Sequence, residues 1–319
     1  MKQNSRRLSE RIGFIPDELA DRISNCGEIS WQNFGKRIVF YLPGMFTLYG
    51  NTGKYPAVSV TGSHCELQCK HCRGKLLQPM LSAKTPQELS ELAKKLKAQG
   101  VYGILLSGGS TKAGEVPLEP LLPVVPQLKK MGLFVSAHTG FATKQMAERL
   151  AQSGIDQVLI DVVGDDRTMR EILNLSQGVK LVHRSLDALF SAGLKVIPHI
   201  IIGLRNKISG EYNSLNILSN YPVELLVYVV SMPAVAMKNH HPIPISDVIQ
   251  VITTGREKFP RVEQALGCAR PRGEYRYHLE KWAIRAGINR MALWSENSVE
   301  QAKKLGLEIS YNWTCCSVD

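Results

Sequence analysis

Eight short β-rich runs alternate with amphipathic helical runs from about residue 57 onward. Most of the eight runs are apolar throughout, which is typical of strands that are covered on both faces. Strands that alternate with helices form parallel sheets. The predicted strands are 57–62, 103–109, 133–140, 157–164, 195–203, 224–233, 264–273 and 290–295. This pattern predicts an α/β fold of the closed (β/α)8, TIM-type barrel class, with an open doubly wound sheet as the alternative.

The helix between the first two strands carries clear local signals. Thr85 is placed to cap it, Pro86 takes the first helical position, and Glu88 is spaced to complete a capping box. Its leucines recur at helical spacing, and Gly100 follows its end. Similar helices are predicted at 143–154, 180–193, 246–259, 274–287 and 298–306.

Two further segments flank the predicted barrel. We expect residues 1–56 to form an extension with one or two helices and a short strand at 37–42, and residues 297–319 to form a helix and a cysteine-containing tail. The barrel itself is expected at 57–296. With 319 residues, 44% of them hydrophobic, the chain can bury a full core. No flexible linker separates the three parts, so we expect one compact unit.

Composition narrows the setting in which this chain works. No run approaches the roughly 18 apolar residues of a membrane helix, and the polar start lacks the apolar core of a secretory signal, so we expect no membrane partner and a cytoplasmic location. Seven cysteines in a reducing compartment favour metal or redox chemistry over disulfides. The net charge of +11 favours anionic partners.

Three cysteines, Cys65, Cys69 and Cys72, follow the first predicted strand directly. In a barrel the carboxyl ends of the strands form the active-site mouth. An iron–sulfur cubane normally takes four thiolates, so three in one loop leave one iron with an open position. The alternatives are a thioredoxin-like pair formed by Cys69 and Cys72, and a zinc site completed by His71.

The C-x3-C-x2-C spacing at the end of a first barrel strand resembles the radical S-adenosylmethionine (SAM) superfamily. The resemblance implies that Cys65, Cys69 and Cys72 are the catalytic ligands of a [4Fe–4S] cluster whose open iron chelates SAM. An electron passed through the cluster would then cleave SAM to a 5′-deoxyadenosyl radical that abstracts hydrogen. One departure is His71, which stands where the superfamily usually has an aromatic residue.

The second predicted strand ends in a turn that resembles the glycine motif for the SAM amino group. The turn is formed by Ser107, Gly108, Gly109 and Ser110. Consecutive glycines let the backbone approach a ligand closely. An ordinary strand-to-helix turn is the alternative.

Strands three and four end in further polar residues, Ser136, His138 and Asp161. Asp161 stands between apolar residues, where a carboxylate is costly to bury without a partner such as a ribose hydroxyl or an arginine. We therefore expect His138 and Asp161 to contact SAM, with a structural ion pair as the alternative for Asp161.

Strand five resembles the strand that backs the adenine of SAM in this superfamily. It ends at Gly203, and Arg205 and Glu211 follow as candidate polar contacts, with Arg205 assigned to cofactor binding. His199, within the strand, is expected to be a core histidine.

Four cysteines remain: Cys26, Cys268, Cys315 and Cys316. Four thiolates would ligate a second, auxiliary cubane if both termini folded over the barrel mouth. Because adjacent residues point in different directions, Ser317 or Arg270 is a possible substitute for one of the vicinal cysteines. The alternative is that Cys268 is a core residue and the vicinal pair belongs to a frayed terminus.

Several longer motifs together resemble the biotin synthase-related branch, and within it a subunit of the two-protein lipoyl synthase of archaea and some bacteria. They are YPAVSVTGSHCELQCKHCRGKLLQPM, LLSGGSTKAGEVPLEPLL, LIDVVGDDRTMREI, ALGCARPRGEY and TCCS. The resemblance implies sulfur insertion at an octanoyl chain on a lipoyl-carrier protein or domain. It also implies a companion radical SAM subunit and an external electron donor.

Two other functions stay open at this stage. A radical SAM enzyme could abstract hydrogen or rearrange a carbon skeleton without transferring sulfur. A non-catalytic iron–sulfur or zinc scaffold would only bind a partner or pass electrons. The basic charge also suits nucleic acid, but the sequence carries no appended RNA-binding module, so we do not expect an RNA partner.

Overall fold

The computed structural model describes residues 13–232 and 242–318. Its strands are β1 Arg37–Tyr41, β2 Thr47–Leu48, β3 Asn51–Thr52, β4 Ala57–Ser59, β5 Leu81–Ser82, β6 Gly103–Ser107, β7 Phe134–His138, β8 Gln157–Asp161, β9 Val196–Ile202, β10 Leu225–Val230, β11 Glu263–Leu266, β12 Arg290–Ala292 and β13 Glu308–Asn312. Its helices are α1 Asp17–Phe34, α2 Pro86–Ala98, α3 Val125–Lys130, α4 Lys144–Gln152, α5 Asp166–Glu171, α6 Val179–Ser191, α7 Glu211–Leu218, α8 Ile245–Lys258, α9 Glu274–Arg285 and α10 Glu296–Lys304.

Eleven of the strands form one parallel sheet. Its order is β13-β1-β12-β11-β10-β9-β8-β7-β6-β4-β5. All eight strands predicted from the sequence are present, as β4 and β6 to β12, and they lie side by side in chain order. The short β5, which was not predicted, pairs with the outer edge of β4. Residue 233, the last of the predicted sixth strand, lies outside the described residues. The predicted α/β fold class is confirmed.

The sheet curls so strongly that distant strands meet the same short segment. The Gln157 side chain, at the start of β8, donates to the Ser317 carbonyl at 2.8 Å. Arg290, at the start of β12, donates to the adjacent Cys316 carbonyl at 3.4 Å. Four strand spacings separate β8 from β12, about 19 Å in a flat sheet, so only a curled sheet can bring both to neighbouring residues.

The seam of this half-barrel is bridged by loop and tail contacts. In the described part of the chain, no strand pairing joins β5 to β13. Instead, the segment between β1 and β4 crosses the opening. Lys54 N–H donates to the Trp313 carbonyl, just after β13, at 2.6 Å, and the Lys54 carbonyl accepts the Tyr102 N–H, just before β6, at 2.9 Å.

Two apolar cores result from the curl. The larger one lies between the sheet and its helices. The smaller one fills the interior, and its members are Tyr41, Leu159, Ile197, Leu225, Val227, Ala265, Ala292 and Cys316. Because Cys316 is a tail residue, the carboxyl-terminal tail fills the barrel interior.

The helices follow the predicted capping chemistry with one difference. Thr85 accepts the Glu88 N–H at 3.2 Å, and Pro86 is the first residue of α2. The Glu88 carboxylate, however, accepts the Lys84 N–H at 2.6 Å rather than that of the cap residue. The predicted capping box is therefore half formed. None of the described helices is long and apolar enough to cross a membrane.

The flanking segments contribute strands to the same sheet. β1 comes from the predicted extension, as expected, and pairs with β12. β13 lies in the predicted tail and pairs with β1 over its whole length, although the sequence analysis assigned no strand there. The predicted boundaries at residues 56 and 296 stay predictions.

Candidate active site

The three-cysteine loop begins where β4 ends and is folded tightly on itself. Gly62 turns the chain in the left-handed region, at φ +61°. The N–H groups of Cys72 and Arg73 both donate to the Cys69 carbonyl, at 3.2 and 2.9 Å. The Cys65 thiol contacts the Ser110 carbonyl at 3.8 Å. These contacts bring all three cysteines to the wall of one cavity.

A segment that the sequence analysis did not single out supports this loop from the side. It comprises residues 172–175, directly after α5. The Cys69 thiol donates to the Leu173 carbonyl at 3.7 Å. The Asn174 amide donates to the carbonyls of Leu67 and Gln68, at 2.9 and 3.1 Å. Asn174 has φ +59°, a left-handed conformation that asparagine tolerates well. The asparagine itself was therefore the feature of the sequence that could have indicated this turn.

The Ser-Gly-Gly-Ser turn after β6 packs directly against the cysteine loop. The Ser110 carbonyl accepts the N–H groups of Glu66 and Leu67 at 3.0 and 3.1 Å. A Cβ on Gly109 would lie 2.0 Å from the His64 carbonyl oxygen. No side chain fits at this position, so glycine is required for the two loops to meet. All four turn residues line the cavity, and their predicted contact with SAM stays a prediction.

The cavity has a volume of about 240 Å³ and is open to solvent on one side. Its lining is mostly apolar. Besides the cysteines, the glycine turn, His138 and Asp161, the lining includes Leu67, Leu76, Leu77, Met80, Val116, Phe141, Leu173, Leu175 and Ile201. The site therefore combines a thiol wall, a backbone-lined turn and a large apolar surface.

The profile of the radical SAM superfamily matches residues 59–209. This range runs from the end of β4 to the loop after β9 and contains the cysteine loop, the glycine turn, His138 and Asp161. The chain carries a radical SAM domain. The superfamily predicted from the sequence is confirmed.

Curated relatives of this radical SAM protein are biotin synthases. That of Buchnera aphidicola subsp. Acyrthosiphon pisum (strain APS) is 24% identical over 218 residues, covering 64% of this chain and 62% of that protein. That of Agrobacterium fabrum (strain C58) is 23% identical over 224 residues, covering 67% and 65%. The chain thus spans slightly less than two thirds of these relatives, and it is related to the biotin synthase branch.

Solved structures show the same fold at lower identity. A methylornithine synthase superimposes with a TM-score of 0.62 at 14% identity, covering 94% of this chain and 91% of that one. An FeFe-hydrogenase maturase from Carboxydothermus hydrogenoformans gives 0.64 at 15% identity, covering 97% and 76%. Both confirm the curled parallel architecture.

The residues of this domain fit a [4Fe–4S] cluster and SAM. Three thiols are soft ligands suited to iron, and Gly109 leaves the backbone bare beside Cys65. In residues 13–232 and 242–318, no three His, Cys, Asp or Glu side chains converge as ligands of a single metal ion. Burial and the neighbouring cysteines raise the pKa of Cys69 to about 12, and burial raises the pKa of Cys72. Binding of iron must therefore displace protons from these thiols.

His138 and Asp161 form an ion pair at the floor of the cavity. His138 Nε2 lies 3.6 Å from an Asp161 carboxylate oxygen. Burial opposes protonation of His138, but the Asp161 charge outweighs burial and raises the His138 pKa above its ordinary value. Burial also opposes ionisation of Asp161, and His138, His199 and His71 together lower its pKa. The ion pair that the sequence analysis gave as the alternative for Asp161 is present. Both side chains also line the cavity, and their contact with SAM stays a prediction.

His199 lies beside this pair, inside the barrel. Its ring centroid is 6.2 Å from that of His138, and its Nδ1 is 3.1 Å from the Ile197 carbonyl. Burial lowers the His199 pKa to about 4. His199 is thus a neutral histidine of the interior near neutral pH, as the sequence analysis expected.

Two other predicted polar contacts are used elsewhere. Arg205 makes ion pairs with Asp165 and Glu171, at 3.8 and 3.6 Å, and it is not among the cavity-lining residues. These two neighbouring carboxylates hold Arg205 outside the cavity lining, and its predicted role in cofactor binding stays a prediction. The buried Glu211 carboxylate accepts the Gly203 N–H at 2.8 Å, and two further N–H groups of the same loop, so it fixes the loop after β9. The sequence predicted its position but not this role.

Ser136 is likewise engaged within the protein. Its hydroxyl forms a 2.6 Å hydrogen bond with the Tyr55 hydroxyl, and both residues are buried. The contact ties β7 to the segment that enters β4. Ser136 therefore has a structural role in place of the expected polar contact at the mouth.

The four remaining cysteines are not all brought together. Cys268, Cys315 and Cys316 belong to or pack against the interior core. Cys26 lies on α1 at the outer face of the sheet, where its thiol donates to the Thr253 carbonyl of α8 at 3.6 Å. Because α1 covers the outside of the barrel, Cys26 does not join the other three. The sequence analysis placed the carboxyl-terminal tail over the barrel mouth. In the structure the tail enters the barrel interior instead.

The three interior cysteines are electrostatically coupled. Hydrogen bonds from Cys316 and Ser317 lower the pKa of Cys315 to about 6. The same contact raises the pKa of Cys316, together with burial, and burial raises that of Cys268 to about 11. Of the three thiols, that of Cys315 therefore loses its proton most readily. The thiolate is the form of cysteine that binds metals.

Arg270, considered as a substitute ligand, is held by the protein through both terminal nitrogens of its guanidinium. Its guanidinium donates to the Ala292 and Leu293 carbonyls, at 2.7 and 2.6 Å, and pairs with the buried Glu280 carboxylate. Arg270 and Glu280 are both inaccessible to solvent. This network fixes the loop that carries Cys268, so Arg270 helps to hold Cys268 in place.

Proposed function

We propose that this radical SAM protein is one subunit of a two-protein lipoyl synthase, and that it inserts sulfur into an octanoyl chain held on a lipoyl-carrier protein. The observation that carries the proposal is the composition of the cavity. Three cysteines suited to the SAM-binding cluster share it with a broad apolar lining. An aliphatic chain is the substrate class that such a lining favours.

Each part of the site has a defined task in this proposal. When bound, the cluster and SAM supply a 5′-deoxyadenosyl radical that abstracts hydrogen from a carbon of the substrate. Cys65, Cys69 and Cys72 would hold the cluster, and the Gly108–Gly109 backbone, which lines the same cavity, would bind the polar end of SAM. The leucines, Met80 and Phe141, which line the cavity, would exclude water and hold the aliphatic chain.

The second half of the proposal concerns the sulfur donor. Cys268, Cys315 and Cys316 are gathered at the barrel interior, and we propose them as ligands of an auxiliary cluster that would supply sulfide. The Arg270 network holds the Cys268 loop in position for this role. The similarity to biotin synthases supports the radical chemistry. The octanoyl substrate is our proposal.

The test is anaerobic incubation with SAM, reductant and an octanoylated lipoyl-domain peptide, with and without a companion subunit. Mass spectrometry should detect added sulfur on the octanoyl chain and 5′-deoxyadenosine in solution. 5′-Deoxyadenosine without added sulfur would instead indicate a radical SAM enzyme that does not transfer sulfur. Absence of both products would favour a non-catalytic scaffold.

Cysteine variants sharpen this test. Cys315→Ala and Cys268→Ala should abolish sulfur addition and lower bound iron from about eight to about four per chain, while 5′-deoxyadenosine still forms. Cys26→Ala is the matched control, because its thiol lies on the outer face of the sheet. Equal iron in all three variants and the parent protein would refute the auxiliary ligand set.

A further inference from the structure

A second cavity lies on the outside of the barrel, between α4 and α6, and the proposed chemistry does not use it. Its volume is about 600 Å³, within the range of pockets that bind small molecules. Leu181, Arg184 and Ala188 recur at helical spacing along α6 and form one side of it. The start of α4 and the loops after β6 and β7 form the rest. This cavity is here called the outer groove.

The outer groove shares a wall with the cysteine-lined cavity. Phe141 lines both cavities, and its N–H donates to the Gly114 carbonyl at 2.9 Å. Glu115 and Gly140 form an antiparallel bridge. A Cβ on Gly140 would lie 2.2 Å from the Gly114 carbonyl oxygen, so glycine is required for the two loops to meet. This close packing fixes the backbone of Glu115 beside that of Phe141.

Glu115 brings a carboxylate to the outer groove that the protein does not compensate. Its side chain lines the groove, and its Oε1 is buried with no hydrogen-bond partner among the described residues. Burial raises the Glu115 pKa, although a hydrogen bond from the Thr143 N–H opposes this in part. A half-buried carboxylate without a cation is costly to keep ionised. An ammonium group placed in the groove would offset that cost.

The same cavity holds two cations that do not pair with Glu115. They are Lys144 and Arg184. In residues 13–232 and 242–318, Arg184 makes no ion pair, and its guanidinium donates to the uncharged Gln177 side chain. Lys144 reaches only Glu148, at 4.0 Å, and both of these side chains are exposed. The groove therefore offers positive charge to a ligand as well as negative charge.

The remaining lining of the outer groove is apolar or already engaged. Asp187 accepts the Tyr221 hydroxyl at 2.7 Å. Phe141, Leu181 and Ala188 give the groove apolar walls. A ligand that fits this lining carries an ammonium group, an anionic group and an apolar body.

We propose that the outer groove binds an amino acid with an apolar side chain. The ammonium group of the ligand would pair with Glu115, its carboxylate with Arg184 and Lys144, and its side chain would pack on Phe141 and Leu181. Such a zwitterion compensates both charges of the groove, whereas an amine or a carboxylic acid compensates only one. The inference goes beyond the proposed function and depends on neither the cluster nor the octanoyl substrate.

The test is titration calorimetry of the cluster-loaded protein with L-leucine. Saturating SAM is present, so that SAM and not leucine occupies the cysteine-lined cavity. 4-Methylpentanoate lacks the ammonium group of leucine, and 3-methylbutylamine lacks its carboxylate. Both should bind at least about 10-fold more weakly than leucine, because each loses a charge-assisted contact. Equal affinity for the three compounds, or no binding of leucine at millimolar concentration, would overturn the inference.

Substitutions locate the site. Glu115→Gln keeps the shape of the side chain and removes its charge, so leucine should bind about 10-fold more weakly. Glu91→Gln, at an exposed position of α2, is the matched control. Arg184→Met should weaken leucine binding similarly, and Lys180→Met, exposed on the same helix, is its control.

Leucine affinity at the parent level in both groove variants would place the ligand elsewhere and refute the inference. The unfolding midpoints of all four variants should match that of the parent protein. If a groove variant fails to fold, the three compounds still test the inference on the parent protein, which needs no substitution.

Discussion

Gly109→Ala should disrupt the site without changing any ligand. An added Cβ would lie 2.0 Å from the His64 carbonyl oxygen and within 2.7 Å of both Cα and Cβ of Cys65. These are backbone and near-backbone atoms, so the glycine turn and the cysteine loop must separate. Overpacking of this kind costs about 3 kcal/mol, which corresponds to a roughly 100-fold change in the folding equilibrium.

Gly108→Ala is the matched control. Its added Cβ would approach only side-chain atoms of Val60 and Thr61, at 3.1 and 3.2 Å, and side chains can move by a few tenths of an ångström. Denaturant unfolding of the metal-free proteins should show a loss of about 3 kcal/mol for Gly109→Ala and under about 1 kcal/mol for Gly108→Ala. Reconstituted Gly109→Ala should also bind less iron. Equal stability and iron content in the two variants would refute the close packing of these loops.

Three further changes test the interior of the barrel, each by unfolding of the metal-free protein. Glu280→Ala leaves the Arg270 charge buried without its carboxylate and should cost about 3–5 kcal/mol; a loss under 1 kcal/mol would contradict the network. His199 has a pKa of about 4 in the folded protein, below its ordinary value, so the folded state loses stability relative to the unfolded state as pH falls from about 6.5 to 4. Over that range the free energy of unfolding of His199→Gln should therefore fall by about 3 kcal/mol less than that of the parent protein. Parallel plots of unfolding free energy against pH for the two proteins would contradict this. Ending the chain at residue 314 removes the buried Cys316 and Val318 and should cost more than about 3 kcal/mol, whereas a frayed terminus would cost almost nothing.

Local patterns were sufficient to predict the eight strands from β4 to β12 other than the short β5, but not β13. The eight barrel strands are short apolar runs that end in turn residues, and the half-barrel places their carboxyl ends together. Cys65, Cys69, Cys72 and the glycine turn follow the first two of these strands, so their meeting follows from topology alone. In the structure both loops line one cavity, and their binding of a cluster and SAM stays a prediction.

Contacts between segments far apart in sequence could not be predicted from local patterns. The segment after β13 has no hydrophobic period, yet Cys316 is buried because the tail turns into the barrel interior. Arg205 sits at the expected place in the chain, but Asp165 and Glu171 compete for it. Cys26 is drawn to the outer face because it belongs to the apolar face of α1. Each outcome depends on residues far away in sequence, which spacing does not report.

The central claim is that the cysteine loop supports reductive cleavage of SAM. Its most direct measurement is 5′-deoxyadenosine formed by the anaerobically reconstituted protein with SAM and dithionite, compared with Cys65→Ala/Cys69→Ala/Cys72→Ala at matched concentration. We expect product from the parent protein and none from the triple variant. Equal product from both, or none from a parent protein that binds its full iron, would contradict the account.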